Sequence, residues 1–175
     1  MKITLSFLLG LFLLACSSNL IYAQHRKLTV ILLRHAEKDL SEGEDNPNPN
    51  LSAEGKARAE RLIKVAEKYR PDAIYSTSYI RTRATVTPLA RKGRHMILMY
   101  EPRNLNEMRD LILSGKLKRI LVVGHNNTTP ALVNMLIGEE KYKTLPETEY
   151  SKIWVVKIKK NKNKPNKVQE RIIEY

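Results

Sequence analysis

The chain has 175 residues, 42% of them hydrophobic and 28% charged, so it can form one globular domain with a core of its own. Because it contains a single cysteine, a fold that depends on disulfide bonds is excluded. The formal net charge of +13 favours anionic partners such as phosphorylated substrates, anionic lipid or polyanions. Nucleic acid is not an expected partner, since no aromatic residues alternate with the lysines that cluster near the C-terminus.

The start of the chain has the pattern of a bacterial export signal. Lys2 supplies a positive charge, and residues 3–14 form an apolar stretch that is too short to span a bilayer. Cleavage before Cys16, in the lipobox-like sequence LLAC, would leave a lipidated cysteine that anchors the protein to a membrane. Cleavage after Ala23 would instead release the domain without an anchor. We therefore expect an exported protein, periplasmic or held at the cell envelope as a lipoprotein, with residues 24–175 as a single domain.

Beyond the signal, short apolar runs alternate with amphipathic segments. The apolar runs predict strands at residues 28–33, 73–75, 95–100 and 119–123, followed by a hairpin of 153–158 and 168–173. The segments between them predict four helices: from the N-cap Ser52 to about Tyr69, from about Ser78, over 105–113, and from the cap Thr129 to Gly138. This alternation predicts a three-layer α/β/α fold, in which helices cover both faces of a mostly parallel central sheet and a β-hairpin comes last.

Arginine and histidine side chains follow three of the predicted strands. Arg34 and His35 come directly after the first strand, Arg81 lies at the start of the helix after the second, and His125 follows the fourth. Because the carboxyl ends of parallel strands meet at one edge of a sheet, we expect these four side chains to lie together. The polar residues 76–78 are interpreted as a turn and a helix cap.

These residue types suit a phosphoryl group. A guanidinium offers a planar set of donors and a permanent charge that match phosphate oxygens. The helix start after His125 offers backbone N–H groups and the positive end of a helix dipole. A neutral imidazole can attack phosphorus and form a phosphohistidine, while nearby cations stabilise the charge of the transition state. The ligand spacing of a zinc site is absent, so no metal or other cofactor is expected.

Four segments in this order, LLRHAEK, LSAEGKARAERL, IYSTSYIRTRATVTPLA and VVGHNNTTPALV, resemble the histidine phosphatase superfamily, which has the phosphoglycerate mutase-like fold. The resemblance covers most of the domain and is greatest to the small, SixA-like branch. It implies that His35 is the nucleophile that becomes phosphorylated and that Arg34 and Arg81 bind phosphate. It also implies that His125, together with Asn126, binds the substrate and steadies the transferring group.

The resemblance leaves the general acid open between two carboxylates. Members of the family often carry Glu or Asp after the third strand to protonate the leaving oxygen, and Glu101 stands at that place. Glu107, one or two turns into the next helix, is the alternative, and a leaving group of low basicity would need no dedicated acid. Two departures from the family pattern stand out. Ala36 replaces the usual glycine, and the missing Arg-x-Pro extension of phytase-like members disfavours inositol phosphates.

The resemblance implies a phosphoric monoester hydrolase, an exported and metal-independent phosphatase acting on phosphomonoesters or phosphoprotein. Only one strand, one helix and a further strand fit between Arg81 and His125, so the pocket-covering insertions of larger mutases are absent. An uncovered pocket lets water reach a phosphoenzyme, which favours hydrolysis over transfer. The alternative function is a surface lipoprotein that binds phosphate or a phosphorylated ligand with little turnover, and a phosphomutase is the third.

Overall fold

The computed structural model describes residues 27–41, 43, 46–161 and 163–175. The predicted export signal, with its alternative cleavage positions at Cys16 and Ala23, lies outside the described residues. Over the described ranges, no helix is both long enough and apolar enough to cross a membrane.

Strands and helices alternate along the described chain up to a final hairpin. The strands are β1 (Lys27–Arg34), β2 (Ala73–Ser76), β3 (Ile97–Met99), β4 (Arg119–Gly124), β5 (Lys152–Lys159) and β6 (Lys167–Glu174). The helices are α1 (Ala53–Ala66), which a 3-10 turn extends over Glu67–Tyr69, α2 (Ile80–Gly93), α3 (Leu105–Ser114) and α4 (Thr128–Ile137). The predicted order of elements is therefore confirmed.

The strands pair into one sheet in the order β3-β2-β4-β1-β5-β6. The pairs β1–β4, β2–β4 and β2–β3 are parallel, whereas β5 and β6 add to β1 as an antiparallel hairpin. Parallel neighbours need crossover connections, which the helices between them provide. This confirms the predicted mostly parallel sheet with a C-terminal hairpin.

The core lies on both faces of this sheet. Successive side chains of a strand point to opposite faces, so Val30 and Leu32 join one buried cluster while Ile31 and Leu33 join the other. The first cluster includes Met108 of α3 and several side chains of α4. The second includes side chains of α1 and α2. Two helices therefore cover each face, and the predicted three-layer arrangement is confirmed.

The strand register brings the predicted site residues to one edge. Arg34 at the end of β1 pairs with Gly124 at the end of β4, and Ser76 at the end of β2 pairs with Val123. His35 N–H donates to Gly124 O at 2.9 Å, which extends the β1–β4 pairing by one residue. The residues that follow these three strands therefore leave the sheet side by side.

Gly124 allows this edge to be packed closely. A Cβ atom at this position would lie 2.7 Å from Tyr100 Oη and 2.9 Å from the hydroxyl oxygens of both Thr128 and Thr129. These distances are shorter than any carbon–oxygen contact that a folded protein accommodates without movement. A side chain at this position would therefore force Tyr100, Thr128 and Thr129 to move.

The predicted cap of α4 is wrong by two positions. The helix begins at Thr128 with Asn127 as its N-cap, and Asn127 Oδ1 accepts from Thr128 N–H at 2.8 Å. Thr129 is buried, and its hydroxyl donates to Leu33 O at 3.1 Å, so it binds the neighbouring strand instead of capping the helix. Thr129 N–H in turn donates to His125 O. The first two N–H groups of α4 are thus already bonded and are not free for an anion, contrary to expectation.

Helix α1 packs directly on the segment after His35. Ser52 is its N-cap as predicted, and the Ser52 hydroxyl accepts from Gly55 N–H at 3.1 Å. Ser52 N–H donates to Glu37 O at 3.0 Å, and a Cβ atom on Gly55 would lie 2.3 Å from the same oxygen. Gly55 is therefore needed for the close approach of the helix to this backbone.

Replacing Gly55 with alanine is expected to destabilise the protein, although alanine is the better helix former. Helix propensity alone would favour Gly55→Ala by about 1 kcal/mol, but the new methyl group would overlap Glu37 O. We expect the free energy of unfolding, measured by urea denaturation, to fall by roughly 1–3 kcal/mol, as at other overpacked sites. Ala57→Gly, at an exposed position of the same helix, is the control for propensity. A Gly55→Ala protein more stable than the wild type would contradict the close packing.

Candidate active site

His35 is held by two hydrogen bonds that define its tautomer. The side chain is 3% exposed, directly after β1. Its Nδ1 lies 2.7 Å from Ala36 O, and because a carbonyl oxygen can only accept, Nδ1 carries the proton. On the other side of the ring, Arg81 Nε–H donates to His35 Nε2 at 3.3 Å, which requires a lone pair on Nε2. The ring therefore presents an unprotonated Nε2 to Arg81.

Burial keeps this imidazole neutral. Loss of solvent around the ring, together with the charges of Arg34 and Arg81, lowers the pKa of His35 from 6.5 to about 3. The hydrogen bond to Ala36 O acts in the opposite direction and does not outweigh them. Because the neutral ring is the form that can attack phosphorus, His35 is in its nucleophilic form at neutral pH.

Arg81 is positioned by the loop between β1 and α1. Its helix, α2, has Tyr79 as N-cap, and the Tyr79 side chain provides no capping hydrogen bond. Instead, Asn48 Oδ1 accepts from Ile80 N–H at 2.9 Å, and Pro47 O accepts from Arg81 Nη1 at 3.2 Å. The predicted cap within residues 76–78 is therefore wrong, because a side chain from another loop satisfies the helix start.

His125 is held by a short chain of hydroxyl groups. Thr82 Oγ1 donates to Tyr79 O at 2.8 Å, which leaves its oxygen to accept from Thr77 Oγ1 at 2.9 Å. Thr77 Oγ1 then accepts from His125 Nε2 at 3.1 Å. This assignment gives each hydroxyl one donated proton and leaves the lone pair of His125 on Nδ1. Burial, aided by the arginine charges, lowers the pKa of His125 from 6.5 to about 4.

The two histidines lie together between two tyrosines. The ring centroids of His35 and His125 are 5.5 Å apart, as their positions after β1 and β4 predict. The ring of Tyr150 lies 6.0 Å from His35, and the ring of Tyr79 lies 4.9 Å from His125. Each tyrosine also packs under a guanidinium: the Cζ atom of Arg34 is 4.1 Å from the Tyr150 ring, and Arg81 covers Tyr79 in the same way.

Arg34 is 1% exposed, and most of its donors bind the loop that precedes β5. Nη1 donates to the carbonyl oxygens of Pro146, Glu147 and Glu149 at 2.8–3.0 Å, and Nη2 donates to Glu147 Oε2 at 2.8 Å. The Nε–H group is buried and has no hydrogen-bond partner among the described residues. A buried donor of this kind costs free energy unless an acceptor such as a water or ligand oxygen satisfies it.

Glu147 is a site residue that the sequence did not indicate. Its side chain is 64% exposed, and its Oε2 contacts both Arg34 Nη2 and, at 3.4 Å, Lys38 Nζ. Its Oε1 accepts from Asn126 Nδ2 at 2.8 Å, so the predicted substrate-binding side chain Asn126 is bonded to this carboxylate. Glu147 lies in an irregular stretch between α4 and β5, where no periodicity or motif distinguishes it from other surface acids.

The two carboxylates considered as general acids lie outside this group of contacts. Glu101 and Glu107 are both exposed. Glu101 Oε1 accepts from Arg103 N–H at 3.1 Å, and Glu107 Oε2 accepts from Asn104 Nδ2 at 3.2 Å. Their role stays a prediction. In the part of the chain that the structure describes, no three His, Cys, Asp or Glu side chains are grouped so as to hold a metal ion.

The sequence model of the histidine phosphatase superfamily (branch 1) matches residues 30–116, a range that contains Arg34, His35 and Arg81. The chain belongs to the histidine phosphatase superfamily. The predicted family is confirmed, and with it the predicted enzyme class, a phosphatase. His125 follows the matched range and is assigned to the site by its position beside His35. No curated protein matches the sequence with significance.

Solved structures show the same fold over nearly the whole described chain. A candidate phosphohistidine phosphatase SixA from Agrobacterium tumefaciens is 24% identical, with a TM-score of 0.58 over 83% of this chain and 96% of that one. A mycobacterial glucosyl-3-phosphoglycerate phosphatase is 14% identical, with a TM-score of 0.59 over 76% and 91%. A phosphoserine phosphatase from Entamoeba histolytica is 15% identical, with a TM-score of 0.59 over 74% and 90%. This chain therefore has the fold common to these members of the superfamily.

The lowered pKa of His35 makes the folded protein sensitive to acid. Between 6.5 and about 3 the unfolded chain binds a proton at this residue and the folded chain does not. Stability is therefore complete above pH 6.5 and falls as the pH falls toward the folded value, by up to about 1.4 kcal/mol per pH unit for this residue. Urea denaturation at several pH values should show this slope, and His35→Asn should reduce it. His95→Asn, at a histidine outside the site, should leave it in place. An unchanged slope in His35→Asn would contradict the buried neutral imidazole.

Proposed function

We propose that this member of the superfamily hydrolyses phosphomonoesters or phosphoprotein without a metal, through a phosphohistidine intermediate on His35. One observation carries the proposal: a buried, neutral imidazole presents its Nε2 lone pair beside the guanidinium of Arg81. The unpaired, buried Nε–H of Arg34 supports it, since this donor needs an acceptor such as a phosphate oxygen. A phosphoryl group between the two arginines would be bound in the manner that guanidiniums favour.

The reaction then has two steps. In the first, Arg81 Nε–H exchanges its hydrogen bond to His35 Nε2 for one to a phosphoryl oxygen, which frees the Nε2 lone pair. That lone pair forms a bond to phosphorus while the bond from phosphorus to the leaving group breaks, and Arg34 and Arg81 stabilise the charge on the remaining oxygens. In the second, water attacks the phosphohistidine, the P–N bond breaks, and inorganic phosphate leaves with His35 neutral again. The Nδ1–H bond to Ala36 O holds the ring in position throughout, because Nδ1 does not take part in either bond change.

His125 responds to the bound anion. In the free site, burial and then the charges of Arg81 and Arg34 favour its neutral form. A phosphate dianion offsets those charges and favours the imidazolium, so His125 can take up a proton on Nδ1 as the substrate binds. A protonated His125 would add a donor to the phosphoryl oxygens.

The described contacts favour a leaving group of low basicity. Glu101 accepts a hydrogen bond from Arg103, Glu107 accepts one from Asn104, and both carboxylates are exposed. Glu147, the carboxylate that does contact the site, has a lowered pKa because Arg34 and Lys38 outweigh the opposing effect of its burial. An ionised carboxylate cannot donate a proton, so phenolates, carboxylates or an imidazole are more suitable leaving groups than simple alkoxides.

Hydrolysis is favoured over transfer by the short connection between the second arginine and the second histidine. Between Arg81 and His125 the chain contains the rest of α2, then β3, α3 and β4, with short turns between them. No covering domain is inserted in this described stretch. Water can therefore reach a phosphoenzyme, which supports a phosphatase rather than a mutase.

Turnover of p-nitrophenyl phosphate tests the proposal, because its leaving group needs no acid. We expect the wild type to release nitrophenol and to form an acid-labile phosphoenzyme, with both lost in His35→Ala, a decrease on the order of 10³-fold or more in kcat/KM. His95→Ala is the matched control histidine and should retain activity. Binding of phosphate or vanadate by folded protein that shows no turnover would contradict the phosphatase and favour the alternative, a phosphate-binding surface protein.

We also propose that the domain is exported and anchored through a lipid on Cys16. The support is the sequence pattern of the first 23 residues, a basic start, an apolar stretch and the lipobox-like LLAC. A cysteine-linked lipid would hold the basic domain at an anionic membrane surface.

The anchor is tested by fractionation of cells that express the wild type or Cys16→Ala. We expect the wild type in the membrane fraction and the variant in the soluble fraction, because a single change removes the lipidated residue. Ser17→Ala is the control and should behave as the wild type. A mature N-terminus at Gln24, with no lipid and the same fractionation for both proteins, would contradict the anchor.

A further inference from the structure

Three donors bind the carboxylate of Glu147, in the way that a protein binds an anionic group of a ligand. A guanidinium from Arg34, an ammonium from Lys38 and an amide from Asn126 converge on its two oxygens. Donors of these three kinds are those that proteins use to bind phosphate and carboxylate groups of ligands. Glu147 itself is well exposed, so its position is not imposed by packing in the core.

Arg34 connects this set of donors to the phosphoryl site. Nη2 binds Glu147, whereas the neighbouring Nε of the same guanidinium is buried and has no partner among the described residues. A single planar group can thus bind one anion on Nε and a second anion on Nη2. A ligand anion bound at Nε would lie beside the position that the protein's own carboxylate fills.

We propose that Glu147 determines specificity by occupying an anion subsite beside the phosphoryl site. The subsite is formed by Arg34 Nη2, Lys38 Nζ and Asn126 Nδ2, and it would otherwise accept a second phosphate or carboxylate of the substrate. With Glu147 in place, a substrate that carries another anionic group next to the scissile phosphate is repelled and loses its binding partners. The inference rests on the proposed function, because it assigns a substrate class to the same site.

The positive charge of the protein explains why a carboxylate in this subsite would improve specificity. The formal net charge is +13, and Arg34, Lys38 and Arg81 all lie at or near the site. A group of cations of this kind attracts anions, with a preference for those of highest charge. One carboxylate beside Arg34 and Lys38 opposes that preference at short range, since specificity is often achieved by a repulsive group against the wrong ligand.

The test compares two unreactive ligands that differ by one phosphonate. Binding of methylphosphonate and methylenediphosphonate is measured by calorimetry with the wild type, Glu147→Gln, Glu147→Ala and Glu149→Gln. Glu147→Gln removes the charge but keeps a similar shape, and Glu147→Ala also empties the subsite. Glu149→Gln is the matched control, because its side chain binds Ser151 and Lys152 rather than the site.

We expect both Glu147 variants to bind methylenediphosphonate tighter by roughly 10-fold or more, because like charges held side by side repel strongly. Binding of methylphosphonate should change much less, and the control should match the wild type for both ligands. An unchanged ratio between the two ligands would overturn the proposal. Weaker binding of both ligands in the variants would also overturn it, since Glu147 would then only position Arg34.

A turnover measurement separates this inference from the proposed function. The ratio of kcat/KM for phenyl phosphate to that for 3-carboxyphenyl phosphate should fall in Glu147→Gln and stay constant in Glu149→Gln. If the wild type turns over neither ester and forms no phosphohistidine, the proposed function is wrong, while the calorimetric ratio still decides the role of Glu147. If turnover depends on His35 but the kcat/KM ratio is the same in Glu147→Gln as in Glu149→Gln, the proposed function stands and the proposed subsite is wrong.

Discussion

A buried guanidinium has to find partners for its charge and its donors, and at Arg34 the partners come from a loop 112 or more positions along the chain. Burying one charge without compensation costs several kcal/mol, so the three carbonyl oxygens and the carboxylate that surround Arg34 are a condition for folding as well as for function. The same contacts fix the loop of residues 145–149 against the end of β1, and Leu145 N–H adds a bond to Asn126 O. The proposed phosphate site is therefore built around an arginine that also holds this loop in place.

The low exposure of the site has opposite effects on stability and on chemistry. It lowers the pKa values of His35 and His125, so both rings are neutral where an exposed histidine would begin to ionise. Keeping cations close to neutral imidazoles at a partly buried site lowers stability. The same burial would strengthen the attraction between the arginines and a bound phosphoryl group, because charges interact more strongly in surroundings of low dielectric constant. Some stability is given up so that the transition state is bound well.

The strands and helices with a clear periodicity of apolar residues were predictable from the sequence. So were the four site residues that follow strands: Arg34, His35, Arg81 and His125. β1 is apolar on both faces and therefore had to be a central strand, which located Arg34 and His35 at its end. His125 follows β4 for the same reason. The start of α4 was not predictable, because Asn127, Thr128 and Thr129 are all suitable caps. The choice among them depends on Leu33 O, 96 positions away.

Two further residues at the site, Asn48 and Glu147, could not be identified from the sequence for a related reason. Asn48 and Glu147 lie in irregular segments, where neither helical nor strand periodicity restricts the position of a side chain. Their importance arises from contacts with Ile80 and Arg34, which exist only in the folded chain. Sequence patterns therefore found the groups that come from the sheet edge and missed those that loops bring to it.

The hydrogen bond between His35 and Ala36 O has a consequence for how this site tolerates change. The acceptor that orients the His35 ring is a main-chain atom, so every amino acid at position 36 supplies it, and no side-chain replacement at that position removes it. Ala36 fits because its methyl group is fully buried against Leu51 and Ala59, while its own N–H donates to Thr85. Variation at position 36 is therefore limited by the volume of this small apolar space and is independent of the chemistry of the nucleophile. A different residue at position 36 can accordingly alter the packing while the hydrogen bond that orients the His35 ring is kept.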